Sequence, residues 1–139
     1  MTVTDVCEEL TGTWPASPTS VGSVRQQARC WLRELGLDEL EDACLLVVSE
    51  LATNAVVHAG TGFRICLTRL CDGLLLLVND GSTDLPGPGV APQDGAVSGR
   101  GMFLVETLCE GWGVVRDGEG GKATWALLAD PVPGALPRW

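Results

Sequence analysis

The sequence contains no tyrosine, one histidine, one isoleucine and a single lysine, Lys122, against eight arginines. This skew fits a GC-rich genome and says little about function. Basic residues are scarce overall. The formal net charge is −9 and the pI is near 4.4. A nucleic-acid binder needs a basic surface to displace counterions from phosphate, so this balance speaks against direct nucleic-acid binding. It leaves a nucleotide site open, because a few backbone N–H groups hold a phosphate even on an acidic protein. Long apolar runs are also missing. The longest, Ala43–Val48 and Leu74–Val78, are far too short to cross a bilayer. The first twenty residues lack a basic start followed by an apolar stretch, so the expectation is no secretory leader, a cytoplasmic protein and no membrane partner. The six cysteines, Cys7, Cys30, Cys44, Cys66, Cys71 and Cys109, form no C-x-x-C pair and no zinc spacing. They read as buried, reduced thiols.

What is present suits one globular domain over residues 1–139: 45% hydrophobic and 19% charged residues, with no repeat and no long linker. Residues 9–16 suggest a short first strand. From Ser20 to Leu37, Val21, Val24, Ala28, Trp31, Leu32 and Leu35 recur at helical spacing, with a stop at Gly36. A second helix is expected from Asp38 to Ala59, opened by a D-x-x-E capping box (Asp38, Glu41) and ended at Gly60. Phe63–Cys71 alternates like a half-buried strand, and the Asp72-Gly73 turn returns Leu74–Asp80 antiparallel to it. Residues 82–100 hold three prolines and four glycines without periodicity, as a functional lid or a disordered segment does. A helix over 102–112 and a closing hairpin, 113–117 and 122–128, follow. The tail 131–139 is proline-rich.

The second helix is the informative one. Glu50, Asn54 and His58 are spaced i, i+4, i+8, and each step drifts by only about 40°, so they form one stripe. Ala43, Leu46, Val47 and Val57 lie within about 60° of Glu50, which places a carboxylate and a carboxamide inside the apolar face. The same spacing also suits two groups exposed at the helix edge or bonded to each other. A functional reading has a physical basis: an Asn carbonyl oxygen is a hard ligand suited to Mg²⁺, and a carboxylate one turn away deprotonates a hydroxyl or water. Asp80-Gly81 ends a strand just before the lid, where an acceptor could take an adenine amine or simply make a turn. Gly99-Arg100-Gly101 precedes a helix, where glycines and free N–H groups suit either phosphate binding or a hinge.

Polar helix stripe, strand-end Asp-Gly, glycine-rich loop, helix and a hairpin ending in GGKATW occur in one order. That order resembles the ATP-binding domain of the histidine-kinase-like (GHKL) ATPase superfamily. Residues 49–60, SELATNAVVHAG, resemble its N box. Residues 78–82, VNDGS, resemble its first glycine box, and residues 99–105, GRGMFLV, its second. The likeness spans about residues 20–128 and is nearest to the anti-sigma factor serine/threonine kinases. It implies an α/β two-layer sandwich, with helices on one face of a mixed, mostly antiparallel sheet and a lid over ATP. It also implies roles: Asn54 on Mg²⁺, Glu50 as general base, Asp80 on the adenine amine. Gly99, Arg100, Gly101 and the adjoining Met102 would lie at the phosphates. Ser82, Thr124 and His58 would line the nucleotide, with His58 equally suited to packing.

Three departures from the family pattern bear on this. Ser82 and Thr83 stand where the first glycine box has further glycines. Aligned on Trp125, Ala123 falls at the family's last-strand threonine, and the one-residue offset would turn Thr124 away from the pocket. No helical dimerisation segment with a phosphoacceptor histidine precedes the domain, so a full sensor histidine kinase is not expected. The implied function is an anti-sigma regulator that binds ATP and Mg²⁺, sequesters a sigma factor and phosphorylates a serine or threonine of a STAS-type anti-anti-sigma protein, acting as a homodimer. The alternative is a nucleotide-binding regulatory module that works by protein binding alone.

Overall fold

The computed structural model describes residues 8–81, 104–116 and 121–129, except for the side chains of His58 and Ala59. Strand β1 (Glu9–Trp14) leads into helix α1 (Pro18–Glu34) and helix α2 (Asp38–Asn54), which continues as a π-helical turn, Ala55–Ala59. Strands β2 (Phe63–Leu70), β3 (Gly73–Asp80), β4 (Gly111–Arg116) and β5 (Lys122–Ala129) complete the sheet, in the order β1-β2-β3-β5-β4. The expected two-layer α/β sandwich is formed. Every pairing between these strands is antiparallel, so the expected mixed sheet shows no parallel pair among the described residues. The reason lies in the helices. A single crossover helix would deliver a parallel strand. Here α1 and α2 are both 17 residues long and return the chain to the end of the sheet it left, where Trp14 pairs with Phe63.

Local sequence explains most boundaries. α1 starts two residues earlier than the periodicity suggests, because Pro18 brings a preset φ and lacks only an N–H that the first turn leaves unused. Val24, Ala28, Trp31 and Leu32 form its buried stripe. The chain leaves α1 through Gly36 at φ 71°, a left-handed conformation that suits glycine. The Asp38–Glu41 capping box does not form. Leu37 is the cap residue with no side-chain bond, and the Glu41 carboxylate is instead held by Arg33, at 3.0 and 3.1 Å. Asp38, Glu39 and Glu41 still place negative charge at the positive end of α2.

The helix over 102–112 ends earlier than expected. Residues 104–108 are helical, and Gly111 and Trp112 already belong to β4. Glycine is a poor helix former, and the Trp125 indole lies across β4 where Gly113 leaves room. A Cβ on Gly113 would come within 2.7 Å of Trp125 Nε1.

The register sorts side chains by face. Phe63, Ile65 and Leu67 of β2 lie opposite Asp80, Val78 and Leu76 of β3, and these lie opposite Lys122, Thr124 and Ala126 of β5. The apolar members of this face join Leu40, Cys44, Val48 and Leu51 of α2 and Leu32 of α1 in one core. The thiol expectation holds only in part. Among the described cysteines all are free, but only Cys44 is buried, while Cys30 and Cys71 are exposed. Burial pushes the Cys44 thiol up to about 12 and the Cys109 thiol up to about 11. No helix among the described residues is long and apolar enough to cross a membrane.

Candidate functional site

The C-terminal end of α2 carries Glu50 and Asn54, both half-buried. They do not sit inside the apolar face. Leu46 and Val57, which the helical wheel places beside Glu50, are exposed, and the buried row runs through Cys44, Val47, Val48, Leu51 and Ala52. The stripe therefore follows the margin of the core, where a carboxylate keeps contact with water and avoids the cost of full burial. Asn54 is the last residue of the α-helix. Beyond it the helix widens into the π-helical turn that carries His58, a distortion often found at functional sites. The side chain of His58 lies outside the described part.

Two residues that the sequence reading did not single out brace this end. Arg25 of α1 donates to Ser49 Oγ and, at 3.3 Å, to the Leu45 carbonyl, and Ser49 Oγ donates to the same carbonyl at 2.6 Å. α1 is thus tied to α2 one residue before Glu50. After the π-helical turn, Thr61 Oγ1 accepts the Gly81 N–H at 2.9 Å. That bond fastens the strand-end Asp80-Gly81 to the segment leaving α2, so the helix end and the end of the central strand meet.

Asp80 is buried at the end of β3, on the helix-covered face. Lys122, opposite it on β5, donates to both of its carboxylate oxygens at 3.1 Å. Thr124 pairs with Val78 one row further in, on the same face, and is 7% exposed. The expectation that an offset turns Thr124 away is therefore wrong. In this register Thr124 shares the face of Asp80, and Ala123, opposite Asn79, takes the other. Lys122 was legible in principle. Leu128, Ala126, Thr124 and Lys122 alternate onto one face of β5, as Leu74, Leu76, Val78 and Asp80 do on β3. Two charges at buried parity predict each other.

The predicted phosphate residues Gly99, Arg100, Gly101 and Met102, with Ser82, the lid 82–100 and the tail 131–139, lie outside the described residues. The remaining residues fit the expected ligands chemically. The Thr124 hydroxyl is buried and makes no hydrogen bond with the described residues, as a group awaiting a ligand or water does. No cluster of three or more His, Cys, Asp or Glu side chains that could hold a metal occurs among the described residues. Asn54 offers one neutral oxygen, which suits Mg²⁺ because that ion usually keeps waters and takes substrate phosphates as further ligands.

Comparison with known families gives one finding. A family described as the histidine kinase-like ATPase domain matches residues 14–127. Among curated proteins no match was found.

Proposed function

The chain belongs to the histidine kinase-like ATPase domain family, and from that membership we propose that it is an anti-sigma regulator with protein serine/threonine kinase activity. It would bind ATP and a sigma factor, and pass the γ-phosphoryl group to a STAS-type anti-anti-sigma protein. A homodimer and a cytoplasmic location go with this reading. The observation that supports it is the placement of Glu50 and Asn54, one turn apart at the core margin of α2, whose end is fastened through Thr61 to the strand end at Asp80-Gly81.

The residues divide the work. Asp80 would accept the adenine amine, with Thr124 beside it. Asn54 would offer its carbonyl oxygen to Mg²⁺, which when bound neutralises phosphate charge. Glu50 would take the proton of the acceptor hydroxyl while that oxygen closes on the γ-phosphorus and the bond to the ADP oxygen breaks. Arg25 and Ser49 would hold the helix turn that presents Glu50. Little else is required of the protein, because phosphoryl transfer depends mainly on positioning and charge.

Calorimetric titration with ATP, with and without Mg²⁺, tests the first half of this. Binding should depend on Mg²⁺, and Asn54→Ala should weaken it by about tenfold or more, the loss usual for one charge-assisted contact. Transfer from labelled ATP to a STAS-type protein tests the second half. Glu50→Gln should keep ATP binding and lose about 10²–10⁴-fold in transfer rate. Full transfer by Glu50→Gln would remove its assigned role. ATP binding without transfer by the wild type would leave a regulatory module that acts by protein binding alone.

A further inference from the structure

The base end of the site differs from a lone carboxylate. Lys122 and Asp80 have side-chain exposures of 7% and 4%, and one ammonium faces both carboxylate oxygens at 3.1 Å. Three of the four buried polar or charged residues in the described chain, Asp80, Lys122 and Thr124, adjoin one another on one face; the fourth, Ser20, is satisfied by the Pro15 carbonyl. An ammonium has three protons, and Asp80 takes two. The third has no acceptor among the described residues, and neither does the Thr124 hydroxyl. Buried donors are ordinarily satisfied, so two unmet ones in adjoining rows point to a ligand that brings acceptors.

The alternative is a pair that only sets the register of β3 against β5. Such a pair would leave no reason for the unmet proton or for the unsatisfied hydroxyl beside it.

The chemistry of the base then follows. A lone carboxylate accepts from the N–H groups of a base edge but leaves the acceptor beside them, N1 of adenine or O6 of a 6-oxopurine, unmet. An acceptor and a donor side by side match either purine. Asp80 would accept the amine of adenine while Lys122 donates to its N1. Equally, Asp80 would accept the N1–H of guanine or hypoxanthine while Lys122 donates to O6. We infer that Lys122 is a second base-reading residue, and that its pairing with Asp80 lets the site take 6-oxopurine nucleotides alongside ATP. This rests on the nucleotide reading above.

The test is a titration panel on the full chain, with ATP, GTP and ITP in the presence of Mg²⁺. GTP and ITP should bind within about tenfold of ATP, whereas a site built for adenine alone discriminates by several orders of magnitude. Lys122→Met should lose about tenfold in affinity for ATP and for GTP alike, the equivalent of one hydrogen bond in each. Lys122→Arg, which keeps the cation, should retain both and guards against a misfolded Met variant. Strong ATP binding with GTP and ITP weaker by about a hundredfold or more would overturn the inference and leave the nucleotide reading standing. So would a folded Lys122→Met that binds ATP and GTP as tightly as the wild type does. Failure of every nucleotide to bind the wild type would overturn both.

Discussion

The helical layer and the sheet end each contain an ion pair, and the two obey different physics. Arg33 of α1, with a side chain 63% exposed, donates two hydrogen bonds to Glu41 of α2 and ties one helix to the next at the surface. Lys122 and Asp80 tie β5 to β3 under the helices, almost out of contact with water. The surface pair is made from groups that water and salt compete for, so it adds little and its loss is tolerated. The buried pair has shed its hydration. A matched apolar pair in its place would often be as stable or more so, yet removal of one partner strands a charge. A feature so costly to retain and so damaging to break is worth testing for a role beyond stability.

The largest effect follows from that contrast. Lys122→Met should destabilise the fold by about 3–5 kcal/mol in urea unfolding, the usual consequence of breaking a buried pair from one side. The double variant Asp80→Leu, Lys122→Met should recover most of this loss, since no charge is then stranded. Arg33→Ala should leave the midpoint within error. A single Lys122 variant no less stable than Arg33→Ala would erase the distinction between the two regions.

The sequence foretold the sheet end unevenly. Alternation placed Phe63, Ile65 and Leu67 on the covered face, and the Asp72-Gly73 turn joined β2 to β3, because strand parity and turn chemistry are local. The same parity, applied to Lys122 and Thr124, yields the corner that alignment on Trp125 obscured. A motif offset of one residue misleads when the partner strand sets the register. Glu50 and Asn54 lie on α2 as expected, but their burial was misread, and His58 falls beyond the α-helix in the π-helical turn. Which flank of a helix is covered depends on the neighbouring helix and the sheet, and here Leu46 and Val57 fall on the open side. Arg25 and Thr61 could not be read at all. Each acts through a contact with a distant segment, and neither spacing nor composition encodes that. The Asp38–Glu41 box failed for a related reason, because Arg33, eight residues before Glu41, offered a stronger partner than a backbone N–H.

A smaller effect sharpens the account of the helical layer. Gly22 lies on the exposed side of α1, and a Cβ there would meet nothing within 4 Å. Gly22→Ala should therefore stabilise the protein by about 0.5–1 kcal/mol, by lowering the backbone entropy lost on folding. Thermal unfolding would read this as an upward shift. If it exceeds the effect of Arg33→Ala, the surface of this layer is governed by backbone preference more than by its ion pairs. No gain would mean that α1 is already held so firmly by Val24, Ala28, Trp31 and Leu32 that local preference no longer counts.

The smallest effect concerns pH and salt. The hydrogen bond from Arg33, with help from its charge and that of Arg29, holds the Glu41 carboxyl below its ordinary value of 4.5. A carboxyl with a lower pKa in the folded state binds protons more readily when unfolded. Its contribution is therefore present above the unfolded value and is lost as the pH falls through the folded one. Glu41→Gln should lower stability slightly near neutrality and converge with the wild type at low pH, so that the acid limb of its stability curve is flatter below about pH 4.5. Added salt should act in the same direction on the wild type, because the Arg33 side of the pair faces water. The Asp80–Lys122 contribution, obtained from the double-variant comparison, should not move over the same salt range, since ions do not reach a pair with 7% and 4% exposure. Salt dependence of that coupling would mean that the corner opens to solvent. The base would then meet a hydrated pair, and the unmet proton of Lys122 would already be satisfied by water.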